Sequence, residues 1–343
     1  MQYNGRMSWA MIGHNWAVRL LQKHIAAGQV RHAYLFGGPE GIGKTTLAHR
    51  FAQALECPQA QDGGEPCLHC KTCRQISEGT YPDMECVEAE EGGSLQVAQV
   101  RELQRRLALS PYQAQRRIAL LLRFHEATAS AANAFLKTLE EPGPHVLLLL
   151  TAHSAASLLP TIVSRCECIN LRPVGTQTLV SALLERGLNP EQARLAAGMA
   201  WGLPGKALAY RTQDARQSRS QHMQDLMHLL GGDAAARFAY AARYHVGRGG
   251  FKLASEARSA AEEALLNWEA LLRSAMMMSF GDAEHAGWGE RAEARALLRA
   301  HQGEGWFLGA LHAMERTLDA LSCNVNAQLA MESLLLRLPR LDM

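Results

Sequence analysis

The sequence predicts an α/β domain built on a mostly parallel sheet, followed by an all-helical C-terminal half. Three observations predict it. Short apolar runs alternate with helical patterns over roughly the first 170 residues, as strands and crossover helices of a parallel sheet do. A glycine-rich segment joins the first of those runs to the first strong helical pattern. Beyond Pro173 and Gly175 no strand pattern recurs, and Ala-, Leu-, Arg- and Glu-rich stretches carry helical spacing instead.

Each element follows from local pattern. His32 to Phe36 is a short apolar run entering the glycines, and it predicts a buried strand. Thr45 to Leu55 places Leu47, Ala48, Phe51 and Leu55 at helical spacing. Met84 to Val87 reads as a strand, and Val97 to Leu109 as a helix with Val100, Leu103 and Leu107 on one face. Arg117 to Leu122 is the next buried strand. The helix that follows, from Thr128 to Glu140, is stopped by Pro142 and Gly143. His145 to Thr151 is a further strand, and Glu167 to Leu171 a last one. Three short helical patterns, near 176–186, 190–200 and 205–212, predict a small helical module. From 215 to 338 the pattern is helical again, interrupted at Gly231-Gly232, Gly247 to Gly250 and Gly287 to Gly289. The expected division is therefore an α/β domain over 1–171, a helical lid over 172–213 and a helical domain over 214–343. Met276, Met277 and Met278 read as core filler.

Bulk properties narrow the function classes. Of 343 residues, 48% are hydrophobic, enough for two or three cores. A net charge of +2 argues against wholesale electrostatic capture of nucleic acid. No run of 18 apolar residues exists, and Met1 to Trp16 carries no apolar run with a cleavage signal, so the expectation is a cytoplasmic protein without a membrane span.

Gly38, Gly43, Lys44 and Thr45 satisfy the phosphate-loop pattern G-x-x-x-x-G-K-[ST], with Gly41 between them and Thr46 after. Glycines let the backbone wrap a phosphate with its N–H groups inward, at the positive end of the following helix. Lys44 would reach the β- and γ-phosphates and the Thr45 hydroxyl would sit on Mg²⁺, so ATP or ADP is the expected ligand. A chance glycine turn is the alternative, and the strand before and helix after it weigh against that.

Cys57, Cys67, Cys70 and Cys73 form C-x9-C-x2-C-x2-C. Two-residue spacers let thiolates converge on one tetrahedral ion, and four sulfurs leave no open position, so a closed structural Zn²⁺ site is expected. His69 is the only local substitute ligand. Cys86, Cys166, Cys168 and Cys323 lack such spacing and read as ordinary small apolar residues.

A phosphate-loop ATPase also needs a carboxylate at the end of a neighbouring strand to hold the Mg²⁺ water shell. The strand Arg117 to Leu122 continues Arg123-Phe124-His125-Glu126, so no Asp or Glu stands at its end. Glu126 is the first acid, and it falls in the loop or first helical turn. Such a pocket can bind phosphate with little to drive hydrolysis.

Asn133 to Pro142 (NAFLKTLEEP) is similar to the signature of the bacterial DNA polymerase III clamp-loader AAA+ family. The run His32 to Phe36, the four-cysteine insert, Ser164-Arg165-Cys166 and the helical end Asn324 to Leu338 resemble the same family, so the resemblance covers nearly the whole chain. It implies an AAA+ domain with a zinc insert, a helical lid and a C-terminal collar. Leu122 and Arg123 stand where the family's gamma/tau motor branch has an acid pair, and Gly205, beside Lys206, stands where the motor's lid arginine would be. Both departures resemble the delta-prime branch. That branch implies a clamp-loader subunit in a hetero-pentamer with gamma/tau and delta subunits, helping to load the sliding clamp onto primed-template DNA. It also implies that Arg165 reaches as a finger into a neighbouring motor's ATP site, while this chain binds nucleotide without being a stand-alone ATPase. An arginine capping a local helix or pairing with Glu167 is the plainer reading of Arg165. The competing functions are an ATP-hydrolysing motor subunit and, more weakly, a zinc-dependent nucleic-acid reader. Leu329, Leu334, Leu335 and Leu336 belong either to a ring of collars or to the domain's own core, which periodicity cannot separate.

Overall fold

The computed structural model describes residues 8–61, 64–89, 93–246, 251–281, 291–300, 304–322, 325–338 and 340. Its elements run α1 (Asn15–Ala26), β1 (Ala33–Gly37), α2 (Lys44–Glu56), α3 (Lys71–Glu78), β2 (Met84–Val87), α4 (Val97–Leu107), β3 (Arg117–Leu121), α5 (Ala129–Glu140), β4 (Val146–Ala152), α6 (Pro160–Val163) and β5 (Glu167–Asn170). Then come α7 (Thr176–Leu184), α8 (Pro190–Met199), α9 (Pro204–Ala209), α10 (Gln213–Gly231), α11 (Ala234–Ala241), α12 (Phe251–Ser279), α13 (Arg291–Ala300), α14 (Glu304–Ser322) and α15 (Ala327–Arg337). The chain separates into two units, one of residues 1–179 with 202–205 and one of 180–201 with 206–343.

In the first unit all five strands are parallel, in the order β2-β3-β4-β1-β5. Alternate residues of β1, β3 and β4 enter two separate cores. Tyr34, Phe36, Ile118, Leu120, Leu147 and Leu149 pack with Leu47 and Phe51 of α2 on one face. Ala33, Leu35, Ala119, Leu121, Leu148 and Leu150 pack with Leu103 of α4 and Phe135 of α5 on the other. Burial on both faces is why these strands read as unbroken apolar runs rather than alternating ones. The whole is the AAA+ α/β fold that the resemblance implied.

Boundaries differ from expectation mainly at ends. The strand expected over 117–122 stops at Leu121, because Arg123 turns into the left-handed region at φ 47° and its amide bonds to the Thr151 hydroxyl at 2.9 Å. Helices α1, α3 and α6 have no counterpart in the sequence reading. Helix α1 buries Ala17, Val18 and Leu21 but starts after a left-handed His14 with no side-chain cap, so no start signal marks it. Helix α3 is hidden within the cysteine cluster, where Cys70 itself is the N-cap.

In the second unit the helices α10 to α15 share a core centred on the buried Trp268, whose Nε1 donates to the His222 carbonyl at 2.7 Å. Arg237 is buried in that unit and caps two helix ends, donating to the carbonyls of Leu229, Leu335 and Leu338 at 3.0, 2.6 and 2.7 Å. The leucines left open by periodicity divide. Leu334 and Leu335 are core, whereas Leu329 and Leu336, seven residues apart on one face of α15, are 61% and 57% exposed. Met276 and Met278 pack partly buried against the core, as filler should. Cys86 and Cys168 lie on the surface rather than in a core, against expectation, since β2 and β5 are the sheet's edge strands. Cys323 falls outside the described residues, as do Asn324 and the glycines at 247–250 and 287–289. Among the described residues no helix is long and apolar enough to cross a membrane.

One buried charge braces the approach to β3. The Asp83 carboxylate accepts amide hydrogens from Tyr112, Gln113 and Ala114 at 2.6, 2.8 and 2.9 Å. Burial pushes its pKa up, but these three donors and the charge of Arg117 outweigh it and hold the carboxyl below its ordinary value. A lowered folded pKa means that this stability is fully present above about pH 4 and is lost as pH falls through the folded value. Asp83→Ala is expected to reduce stability by about 3 kcal/mol at neutral pH, read as a lower melting temperature, with a shallower loss of stability on acidification.

Candidate functional site

Strand β1 delivers the chain into a loop that only glycine can make. Gly38, Gly41 and Gly43 take φ of 142°, 75° and 106°, and a Cβ on Gly38 would stand 2.9 Å from the Leu171 carbonyl. The buried Ile42 anchors the loop from below, its carbonyl meeting His14 Nε2 at 3.0 Å. The bond from the Leu47 amide to the Gly43 carbonyl, at 2.9 Å, closes the first turn of α2. The amides of Lys44, Thr45 and Thr46 are therefore left at the helix start, which no side chain caps. Lys44 Nζ donates to the carbonyls of Gly38 and Pro39 at 2.6 and 2.9 Å, lying across the loop it would serve. Burial lowers its pKa, with Glu40 opposing. Free amides, a lysine and a glycine cradle fit a phosphate chain.

The same test goes against Mg²⁺. A magnesium ion wants oxygen ligands in near-ideal octahedral array, supplied here by the Thr45 hydroxyl and, in such sites, a strand-end carboxylate. Strand β3 instead ends into Leu122 and Arg123. Glu88 and Glu126 each stand 3.3 Å from Arg123 Nε, and the other oxygen of Glu126 lies 3.9 Å from His125 Nε2. The pocket edge carries nitrogen instead. The rings of His125 and His153 lie 6.3 Å apart, and the His153 carbonyl accepts from the Gly38 amide at 3.0 Å. Burial holds the His125 pKa low, and the charges of His153, Lys44 and Arg123 lower it further.

Residues 202–205, which belong to the first unit, touch the loop. The Gly205 amide donates to the Gly41 carbonyl at 2.7 Å, and a Cβ at 205 would meet that oxygen at 2.9 Å. An arginine cannot replace Gly205 without moving this contact.

The four cysteines do converge. Sulfurs about 2.3 Å from one tetrahedral ion stand about 3.8 Å from each other. Here Cys57 and Cys67 are 3.6 Å apart, Cys57 and Cys70 3.9 Å, and Cys67 and Cys73 4.0 Å, with all four within 4.8 Å. None is in a disulfide. Amide hydrogens from Cys70 and Cys73 point at the sulfurs of Cys67 and Cys70, as they do toward metal-bound thiolates. Burial disfavours the Cys67 thiolate, but hydrogen bonds from the His69 and Cys70 amides and from neighbouring thiols bring it down to about 6. His69 is turned away, its Nδ1 on the Cys67 carbonyl at 2.6 Å, so it is not the fourth ligand. The insert is tied to the domain by Trp9, which donates to Glu65 Oε1 at 2.6 Å and to the Gly64 carbonyl at 2.9 Å. Gln53 of α2 adds a bond to the Cys73 carbonyl at 2.7 Å.

Arg165 follows α6, its side chain 35% exposed. Nη1 donates to the Thr161 carbonyl at 2.8 Å and Nη2 meets Glu140 Oε1 at 2.8 Å. The carboxylate partner is thus Glu140, at the end of α5, and not Glu167. Because β5 runs parallel to β1, with Glu167 opposite Tyr34 and Asn170 opposite Gly37, Arg165 lies at the start of the strands and the phosphate loop at their ends.

Sequence reasoning did not find His125, His153, Glu140 or the Gly205 contact. The histidines had a usable signal, since residues just after strands neighbouring β1 in a parallel sheet must flank its loop. The Glu140 pairing had none.

Comparison with known proteins gives a consistent picture. A family described as "DNA polymerase III, delta subunit" matches residues 13–175. The DNA polymerase III subunit delta' of Pseudomonas aeruginosa is 34% identical over 228 residues, covering 64% of this chain and 68% of that protein. The subunit delta' of Bacillus subtilis is 30% identical over 219 residues, covering 63% of this chain and 66% of that protein. The Bacillus subtilis subunit tau is 29% identical over 188 residues, and the match spans only 33% of its length.

The cysteine geometry yields a direct expectation. Metal analysis of the purified protein should find one zinc per chain, and Cys70→Ser should lose it and lower the melting temperature. Full stability after exhaustive chelation would contradict a structural role.

Proposed function

Since this chain belongs to the DNA polymerase III delta-prime family of clamp-loader subunits, we propose that it acts chiefly on its neighbours. It joins gamma/tau and delta subunits in a hetero-pentamer that loads the sliding clamp onto primed-template DNA, in the cytoplasm and as part of a DNA-directed DNA polymerase holoenzyme. Arg165 enters the ATP site of the adjacent motor subunit. The chain's own loop, with Gly38, Gly41, Gly43, Lys44, Thr45 and Thr46, holds ATP or ADP without hydrolysing it. Cys57, Cys67, Cys70 and Cys73 hold a structural Zn²⁺.

The observation that carries this reading is the position of Arg165. Three residues of strand, about 10 Å at the usual rise, separate the level of Glu167 from that of Gly37. An arginine before β5 therefore lies at the sheet edge opposite its own phosphate loop, and its use lies across an interface. Its pair with Glu140 is solvent-accessible on both sides and worth about 1 kcal/mol or less, so a phosphate can displace it. Once there, a guanidinium stabilises charge on the transferring phosphoryl group.

In this reading the lid and collar continue the α/β domain as 172–213 and 214–343. Exposed Leu329 and Leu336 offer an apolar face to neighbouring collars. Contacts with DNA, made through the assembled loader, go mainly to phosphates.

Arg165→Ala is expected to lower turnover at the facing motor site by about 10³-fold or more, seen as reduced DNA-stimulated ATPase of the reconstituted loader. Assembly and melting temperature should not change. The isolated chain should turn over little ATP, and Glu126→Gln should alter nothing. ATP hydrolysis by the isolated chain that Glu126→Gln abolishes would favour a gamma/tau-like motor instead.

A further inference from the structure

We propose that the phosphate loop takes a nucleoside di- or triphosphate without a divalent cation, the phosphate charge being met by Lys44, His125 and His153. This rests on the reading that the loop binds nucleotide at all. It adds the chemical form of the ligand and two residues that hold it.

A divalent ion in such a pocket neutralises the β- and γ-phosphates and is itself held by a threonine hydroxyl and a strand-end carboxylate. The threonine is present; the carboxylate is not. Leu122 and Arg123 occupy its place. Glu88 and Glu126 stand 3.3 Å from Arg123, and Glu126 also faces His125, its Oε1 3.9 Å from Nε2, where it supports the protonated ring. Glu40, the remaining acid near Lys44, is exposed on the loop itself. An ion placed beside Thr45 would gain one protein oxygen and face Lys44 and His125.

The same residues suit an anion. Lys44, His125 and His153 come from the loop and from the segments after β3 and β4, which parallel pairing brings to one edge of the sheet. The chain is continuous in contact: Lys44 on the Gly38 carbonyl, the Gly38 amide on the His153 carbonyl, and the His153 ring 6.3 Å from that of His125. His125 Nδ1 is buried and has no hydrogen-bond partner. A buried ring nitrogen without a partner is costly, and a phosphate oxygen would accept from it in the Nδ1–H tautomer, more strongly in the protonated ring. Burial is the main reason His125 stays neutral, and the charges of His153, Lys44 and Arg123 that add to it are ones an entering polyphosphate compensates. Phosphate binding and imidazole protonation therefore support each other, as Mg²⁺ coordination and phosphate binding do elsewhere.

Calorimetric titration of the whole, zinc-containing protein with ADP and with ATP tests this, in magnesium-depleted buffer or in excess Mg²⁺. Buffer and nucleotide passed over a chelating resin are magnesium-free without exposing the protein to a chelator, while an intact melting temperature and zinc content verify the fold. Dissociation constants in the two buffers should agree within about threefold. Lys44→Ala should weaken binding in both. The double variant His125→Gln, His153→Gln should weaken magnesium-free binding about tenfold or more, with melting temperature unchanged. Binding that appears only with Mg²⁺ overturns this inference and leaves the nucleotide reading standing. Binding in neither buffer overturns the nucleotide reading itself. Unchanged affinity of the double variant overturns the role of the histidines.

Discussion

Parallel pairing of β1 with β4 on one side and β5 on the other is the constraint on which both functional regions depend. In a parallel sheet every strand ends at the same edge, so groups just after β1, β3 and β4 must meet. That rule gathers the phosphate loop, Arg123, His125 and His153 into one neighbourhood although they are spread over more than a hundred residues of chain. It also sends whatever precedes β5 to the opposite edge, and Arg165 is what precedes it. One topological fact thus puts Arg165 and the phosphate loop at opposite edges of the sheet.

The sheet can impose this because it is buried on both faces. Tyr34 and Phe36 face one core while Ala33 and Leu35 face the other, so a register slip of one residue would exchange two filled cores. The four-cysteine insert is braced against the same body, through Trp9 on Glu65 and Gly64 and Gln53 on Cys73. Its placement directly after α2 ties the far end of the helix whose start forms the cradle. A metal held by the four cysteines would stiffen the support of the loop without touching a phosphate.

Much of this was legible in the sequence, and the parts that were not share a physical reason. All five strands, the glycine cradle and the cysteine ligands are written in local pattern: apolar runs, a fixed motif, two-residue spacers. The missing carboxylate was equally readable, because Leu122 and Arg123 follow directly from a buried run. Helix α1 was not, since it lacks a cap and its apolar face is only Ala17, Val18 and Leu21. Glu140 was not, because its partner lies across a strand and a helix in sequence, and an exposed ion pair leaves no periodicity. The leucines of α15 show the limit most plainly. Leu335 and Leu336 are adjacent and chemically identical, yet one is core and the other open surface.

The intact cradle and the absent acid look contradictory only if binding and hydrolysis are one property. Binding draws on the backbone: glycines at φ of 142°, 75° and 106°, and amides at the start of α2, none of which depends on β3. Hydrolysis draws on a side chain at the end of β3, which here is Arg123, turned into the left-handed region and fixed to the Thr151 hydroxyl. Restoring an acid by a single substitution at 123 would not restore a motor. It would remove the cation that engages Glu88 and Glu126, leaving three carboxylates beside two histidines. It would also leave Gly205 seated on Gly41, where an arginine side chain has no room. The departures from a hydrolytic site therefore fall on two segments, the end of β3 and residues 202–205, while the glycine loop and the start of α2 depend on neither.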